Sequence, residues 1–290
     1  MGAMAFVSLA RLNAYRNRTF RLEPGTRLTS LDEAVDYIHE RGFIFFWPYK
    51  GFLFPSLWTA AAGDRPVADE HDDPGHVTWG WKDSLLGKRL VYYARVLRKR
   101  NTFLSLDLLP YFYALSPNYG SPEEDYLIDY EAGKLTAEAR AVYEALLDQG
   151  PLDTVALRKA ARLTSKSSDT PFNRALEELQ VTFRILPVGV AEAGAWNYAF
   201  IYDLVPRHFP DVIERAHPIS EWEARRVLVL HALRSLGAAR AIHLQRLFGW
   251  PTGLFEKAVD KLAQNGELAC NVAVEGSNDP HLALPELISG

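Results

Sequence analysis

Apolar positions recur at helical spacing along most of the chain, broken by residues that start and stop helices. Leu31–Arg41 reads as a helix, with Thr29 or Ser30 at its N-cap, Glu33 in its first turn and Gly42 as its stop. Phe43-Ile44-Phe45-Phe46-Trp47 favours a strand, ended by Pro48. A polar loop rich in Asp and Pro follows over 63–75. Leu86, Leu90, Ala94 and Leu97 predict a helix over 84–99, with Lys88, Arg95 and Lys99 on another face. A short helix over 107–115 is expected before the linker-like Ser116-Pro117-Asn118-Tyr119-Gly120.

Beyond residue 130 one order of elements occurs twice. In the first copy helices are expected over 136–149 and 153–162, then the turn Ser165-Lys166-Ser167-Ser168-Asp169. A third helix over 170–179 has Thr170 as cap and Pro171 at its first position. Strands over 181–188 and 196–205 flank the turn Glu192-Ala193-Gly194. In the second copy Ser220 and Glu223 form a capping box for a helix over 220–236. Ala241–Phe248 and 252–265 are the next helices, and strands over 267–274 and 281–284 surround a polar tip. Three helices and a hairpin is the winged-helix order, and the copies lie about 85 residues apart. The predicted fold is mainly α with small β-hairpins (α+β), a tandem winged-helix array of helix-turn-helix units. Its segments are 1–130, with the aromatic strand and the basic helix, then the winged helices 131–215 and 216–290.

Composition alters this picture little. The chain has 290 residues, of which 48% are hydrophobic and 12% aromatic, enough for a sizeable core. The one cysteine, Cys270, sits in an alternating apolar run and reads as a core residue. No internal disulfide is possible, no targeting segment is visible at the start, and the apolar run 43–57 is broken by Pro48, Lys50, Gly51 and Pro55. A cytoplasmic protein without a membrane span is the expectation.

Charge changes the picture more. The net charge of −4 argues against a nucleic-acid binder at first reading. Its distribution argues otherwise: residues 1–120 carry 15 Lys and Arg against 12 Asp and Glu, the remainder 17 against 24. Six basic residues and no acidic one fall between Lys88 and Arg100, and five between Arg11 and Arg27 face only Glu23. Screening confines distant charges to a reach of about 8–10 Å, so a local basic face can still hold phosphates.

Four groups of residues carry candidate chemistry. Residues 43–58 hold five Phe, two Trp and one Tyr, with Lys50 among them: a stacking surface for an extruded base, or a sheet core. Alternation through 76–83 puts Trp79 and Trp81 on one side and Lys82 on the other. Either Trp81, Lys82 and Asp83 face a cleft with Trp47 and Tyr49, or Asp83 caps a helix starting near Ser84. His71, Asp72, Asp73 and His76 match no metal spacing and read as a solvated loop, so neither metal nor cofactor is expected. Lys88, Arg89, Arg95, Arg98, Lys99 and Arg100 are the best phosphate contacts, or else a solvated helix face. The helix at 170–179 offers Asn173 and Arg174, with Lys166 before it, but also Glu177 and Glu178. Its counterpart carries Glu256, Lys257, Asp260 and Lys261, so neither helix is basic enough to mark a groove reader.

Three stretches carry a family likeness. Arg100-Asn101-Thr102-Phe103-Leu104-Ser105, followed by Leu108-Leu109-Pro110-Tyr111-Phe112-Tyr113-Ala114-Leu115, is similar to an R-G-T-L-H segment and its L-P-W-L-L-A-L helix. Leu135-Thr136-Ala137-Glu138-Ala139-Arg140, with Gly150-Pro151-Leu152-Asp153-Thr154 and Leu157-Arg158, looks like the opening of that family's second winged helix. Leu31-Asp32-Glu33-Ala34-Val35 looks like the helix before its catalytic strand. By these the chain resembles the AlkZ/YcaQ-like winged-helix DNA glycosylases over most of its length. The resemblance implies the fold, double-stranded DNA as partner and a place in DNA repair.

The chain departs from that family at the catalytic strand. There the family has Q-x-Q or Q-x-D, whose polar ends position water and stabilise the positive sugar. Here Ile44-Phe45-Phe46-Trp47-Pro48 contains no Gln, Asp or Glu, and the family's His after R-G-T is Leu104 or Ser105. Cleavage of a glycosidic bond needs a group that stabilises the cation and activates water, and aromatic rings cannot take a proton. Asp83 is the nearest substitute carboxylate, with Trp47, Tyr49 and Trp81 as base-stacking candidates. The DNA-binding candidates are Lys50, Lys88, Arg95, Arg98, Lys99, Arg100, Lys166 and Arg174. The expected function is a DNA-binding, glycosylase-like protein that cleaves N-glycosidic bonds of damaged bases with a changed site. The alternatives are a non-catalytic winged-helix regulator or protein adaptor, and a small-molecule hydrolase or transferase using the Trp/Lys/Asp cluster.

Overall fold

The structure is a computed structural model that describes residues 5–194 and 196–289. Met1 to Met4, which open the stretch searched for a targeting segment, lie outside it. Helices predominate, with small sheets between them, an α+β arrangement. Among the described residues no helix is long and apolar enough to cross a membrane.

Where the sequence carries explicit caps, the helices follow it. Ser30 Oγ accepts from Glu33 N, the Glu33 carboxylate returns to Thr29, and the helix runs Leu31–Arg41. Gly42 ends it at φ 80°, and a Cβ there would collide with the Leu108 side chain. The strand Phe43–Phe45 follows, buried on both faces: Phe43 and Phe45 meet Phe54, while Ile44 packs with Tyr37, Trp81 and Tyr93.

The helix expected over 84–99 does not form. A helix runs Val77–Leu85 instead, burying Thr78, Trp81, Lys82 and Leu85 at helical spacing. Lys82 therefore shares a face with Trp81, and the alternation read over 76–83 is overturned. Gly87 breaks the chain at φ 79°, where a Cβ would lie 2.6 Å from Val188 O. The β-favouring Tyr92–Arg95 and Asn101–Leu104 then form a hairpin whose tip carries Arg98 and Lys99. Asn101–Leu104 is the centre of a three-stranded sheet, with Phe43–Phe45 on its other side. Tyr92, Tyr93 and Ala94 are all buried, so this strand shows no period of two. The helix expected over 107–115 is shorter, Leu109–Tyr113.

The repeated order is present in both later segments. The first copy has helices Ala137–Gln149, Thr154–Ala160 and Asp169–Val181, then strands Ile185–Ala191 and Ala199–Leu204. The second has helices Glu221–Leu236, Ala241–Phe248 and Thr252–Gln264, then strands Ala269–Val274 and His281–Ala283. In each, a two-residue strand after the first helix, Leu152–Asp153 or Ala238–Ala239, pairs with the hairpin's second strand. These strands are too short to leave a periodic signal. Phe6–Val7 adds to the last sheet, parallel to Ala269–Val274.

The first segment and the last share one core, in which Phe43 and Phe112 cluster with Leu228, Leu233 and Phe255, and which Phe183, Val205 and Phe209 of the middle segment join. The middle segment has its own core around Val142, Leu146, Phe172 and Leu179. Cys270 is half-buried, and burial pushes its thiol up.

His231, on Glu221–Leu236 beside Gly42, makes the shared core acid-sensitive. Burial, and then the Arg234 and Arg41 guanidiniums, push its pKa down to about 4. The unfolded chain takes this proton near pH 6.5, so stability should fall as pH drops from about 6.5 towards about 4. The expected loss is about 2–3 kcal/mol by pH 4.5, measured by denaturant titration, and His231→Leu should remove that share of it.

Candidate active site

Lys82 is the most unusual side chain of the Val77–Leu85 helix, 1% exposed. Its Nζ donates to Asp83 Oδ1 at 2.5 Å and to Tyr198 Oη at 2.7 Å. Tyr198 Oη donates in turn to Asp83 Oδ1 at 2.8 Å, closing a triangle between the helix and the second segment's hairpin. The ammonium lies 4.5 Å from the Trp79 ring centre and 4.6 Å from that of Phe200. Burial lowers the Lys82 pKa against the opposing pull of Asp83. Burial, and then the hydrogen bond to Asp83, raise the Tyr198 phenol. Asp83 lies in the helix's last turn and caps no helix start; its side chain is 21% exposed.

Two cavities flank this triangle. One, of about 350 Å³, lies among the Tyr92–Leu104 hairpin, the Asp169–Val181 helix and the 185–204 hairpin. Tyr93, Arg95 and Asn101 line it from the first, Asn173, Leu176 and Gln180 from the second, and Tyr198, Phe200 and Tyr202 from the third. Thr154 and Val155 close one end. The other cavity, of about 800 Å³, is bounded by Trp47, Val67, Ala68, Asp69, His71, His76, Trp79 and Gly80. Trp79 thus faces one cavity, Tyr198 and Phe200 the other, and Lys82 lies between.

The stacking candidates separate. Trp47 is half-buried, stacks on Phe46 at 4.9 Å, lies 5.7 Å from Trp79 and lines the larger cavity. Tyr49 packs on Phe45 under the Arg100 guanidinium, 5.0 Å from its ring centre. Trp81 is buried in the core and lines neither cavity.

The phosphate candidates separate too. Arg95 and Lys99 converge on Glu177, at 3.7 and 2.9 Å. Arg98 lies over Gly249 at the end of the Ala241–Phe248 helix, where its charge suits the helix dipole. Lys50, Lys88, Lys166 and Arg174 are exposed at separate places. In the 63–75 loop Asp73 binds Arg65 through both oxygens and His76 Nε2 contacts Ala68 O. No group of three or more His, Cys, Asp or Glu among the described residues is placed to hold a metal.

Sequence reasoning missed the hairpin's share of the site. Tyr198, Phe200 and Tyr202 occupy alternate positions and so one strand face, a signal that could have found them. It also missed that the third helix of the first copy lies against the Tyr92–Leu104 hairpin. Gln180 Oε1 accepts from Arg95 N at 3.1 Å, and its Nε2 donates to Leu176 O.

Fold and site together define a helix-rich protein of repeated helix-and-hairpin units with a buried ionic triangle between two cavities. Residues 28–249 match the family described as AlkZ related, and the chain belongs to that family. Among solved structures it is similar to the Streptomyces sahachiroi DNA glycosylase AlkZ, with a TM-score of 0.61 and 14% identity over 97% of this chain and 71% of that one. At that identity the likeness establishes the fold. No curated protein gives a significant match.

Proposed function

We propose that this chain is a DNA-repair-like protein that binds double-stranded DNA and receives an extruded base in the 350 Å³ cavity. In this reading both helix-and-hairpin repeats are winged helices, bounded near 131–215 and 216–290, with 1–130 as a third, related unit. The carrying observation is the cavity's composition: aromatic walls, amide side chains and Arg95 at one edge, backed by the Lys82–Asp83–Tyr198 triangle. Rings stack on a base, amides bond its edge and a guanidinium takes phosphate. Arg95, Arg98, Lys99 and Arg100 at the hairpin tip, with Lys50, Lys88, Lys166 and Arg174, are the proposed phosphate contacts. Tyr198, Phe200 and Tyr202 line this cavity, whereas Trp47, proposed as a further stacking residue with Tyr49 and Trp81, lines the larger one.

Asp83 lines neither cavity but backs the smaller one through Tyr198, and in a cleavage step it would stabilise the sugar cation or take a proton from water. Its Oδ1 is held by Lys82 and Tyr198, so the reacting atom would be Oδ2. The non-catalytic adaptor remains the second reading, favoured by two observations. Arg95 and Lys99 already have a carboxylate partner, and the third helix of 131–215 is covered by the hairpin.

Duplex binding followed by anisotropy should weaken linearly on a log–log salt plot, and Arg95→Ala/Lys99→Ala should reduce the slope by about 2. A panel of damaged duplexes should give base release that Asp83→Asn abolishes. No binding at low salt removes the DNA reading, and binding without release across the panel leaves the adaptor.

A further inference from the structure

The larger cavity, of about 800 Å³, has the size of a small-molecule site, and its wall is preformed. The 63–75 loop that makes one side is tied down. Arg65 binds Asp73 through both carboxylate oxygens, Asp73 Oδ1 accepts from Gly75 N, and Trp58 Nε1 donates to Arg65 O. Gly75 packs so closely on Trp58 that a Cβ there would lie 2.7 Å from the ring. His76 Nε2 contacts Ala68 O, which joins the loop to the start of the Val77–Leu85 helix.

Indole surface and a carboxylate face this space, and among the described residues no Lys or Arg lines it. Trp47 and Trp79 meet there with ring centres 5.7 Å apart. Their tilt of 42° makes a corner too narrow for a ring to enter between them, so a flat ligand lies against both indoles. The Lys82 ammonium on Trp79 is met by Asp83 at 2.5 Å and does not set the sign of the cavity. The loop sets it. It carries Asp64, Asp69, Glu70, Asp72 and Asp73 against Arg65, and Asp73 already balances Arg65. Asp69 is the acid of this group that lines the cavity, and among the described residues it has no ion-pair partner. Indole faces attract a cation, and a free carboxylate beside them holds one by charge.

We propose that the larger cavity binds a small aromatic amine as its ammonium ion, with the ring against Trp47 and Trp79 and the ammonium on Asp69. The site is separate from the 350 Å³ cavity, and the proposal does not rest on the base-binding reading. Asp69 gives the preference for charge, and the two indoles give the preference for a flat body.

Tryptamine and tryptophol make the test, because the ammonium of one stands where the other has a hydroxyl. Both are titrated into the full chain by calorimetry at neutral pH and low salt. Tryptamine should bind about tenfold tighter, and Asp69→Asn should weaken it about fivefold while leaving tryptophol unchanged. Gly80→Leu locates the site. A Cβ at Gly80 meets nothing within 4 Å, so the new side chain can fill the cavity without disturbing the helix, and tryptamine binding should be lost. Both variants change exposed positions, and their unfolding midpoints should be no lower than that of the unaltered chain. Equal binding of the two compounds, or no binding by either at millimolar concentration, overturns the proposal. So does a preference that Asp69→Asn leaves intact, or binding that Gly80→Leu leaves intact.

Discussion

Asp129→Ala is expected to lower the free energy of unfolding by about 3–5 kcal/mol, the largest single-residue effect on stability. Asp129 lies on the Asp125–Glu131 helix, and Arg184 lies at the bend between the Asp169–Val181 helix and the following strand. Arg184 Nη2 donates to Asp129 Oδ2 at 2.6 Å, and the side chains are 2% and 3% exposed. Among the described residues, the other cation paired with this carboxylate is Lys134, 4.0 Å from Oδ1 and largely exposed. Removing Asp129 leaves the guanidinium charge in the core without the carboxylate that it hydrogen-bonds. Replacing both partners by apolar side chains of similar volume, Asp129→Leu with Arg184→Met, removes both charges and should recover most of the loss. Denaturant titration of the two single variants and the pair decides it. A single-variant loss below about 1 kcal/mol would show that the pair is solvated.

Asp83→Ala should cost about 3 kcal/mol or more, and its pH dependence should be distinctive. Lys82 is almost wholly enclosed by Trp79, Phe200, Tyr198 and Tyr93, and among the described residues Asp83 is its one anionic partner. Its pKa in the fold lies below the ordinary lysine value even with Asp83 present. Without Asp83 it falls further. The unfolded chain then holds the proton where the folded chain releases it, so the variant should gain stability as pH rises from about 7 towards about 10. The Tyr198 phenol, raised in the fold, works the other way, and its contribution is lost above about pH 10 as the unfolded tyrosine ionises. Lys82→Met in the Asp83→Ala background should abolish the rise and restore part of the stability. Equilibrium unfolding at several pH values measures both, and a flat profile for Asp83→Ala would contradict the enclosed ammonium.

Much of the scaffold was legible because its helices announce themselves locally. Ser30 with Glu33, Thr136 and Ser220 accept the first-turn N–H bonds, as their sequence positions suggest. Gly42 and Gly249 end helices at positive φ. The misreadings have two physical causes. Tyr92, Tyr93 and Ala94 are buried on both faces of a sheet, so spaced leucines around them imitated a helical stripe. At 76–83, Trp79 and Trp81 suggested alternation, whereas the buried set is Thr78, Trp81, Lys82 and Leu85. The candidate site was legible only in fragments. Asp83 was noticed, but the phenol that completes its triangle stands 115 residues away, and no local pattern joins them. The family likeness survived because its motif at Arg100–Leu115 lies in the hairpin and the short helix after it, both set by local sequence.

The parallel pairing of Phe6–Val7 bears on the order of assembly. Ala273 N donates to Ala5 O, Glu275 N to Val7 O and Ser289 N to Phe6 O, while Leu9 N reaches the Glu275 carboxylate. These bonds clasp residues 5–9 to residues that leave the ribosome more than 260 positions after them. Closing so long a loop costs roughly 5 kcal/mol in chain entropy, little more than a loop of half the length. The constraint is therefore temporal. Until the 269–283 hairpin exists, Phe6 and Val7 have no seat, and once it exists its outer edge stays open to any strand until they dock. Residues 6–7 are the latch on a sheet whose hairpin is synthesised more than 260 positions after them, and a chain interrupted before residue 269 would expose that latch.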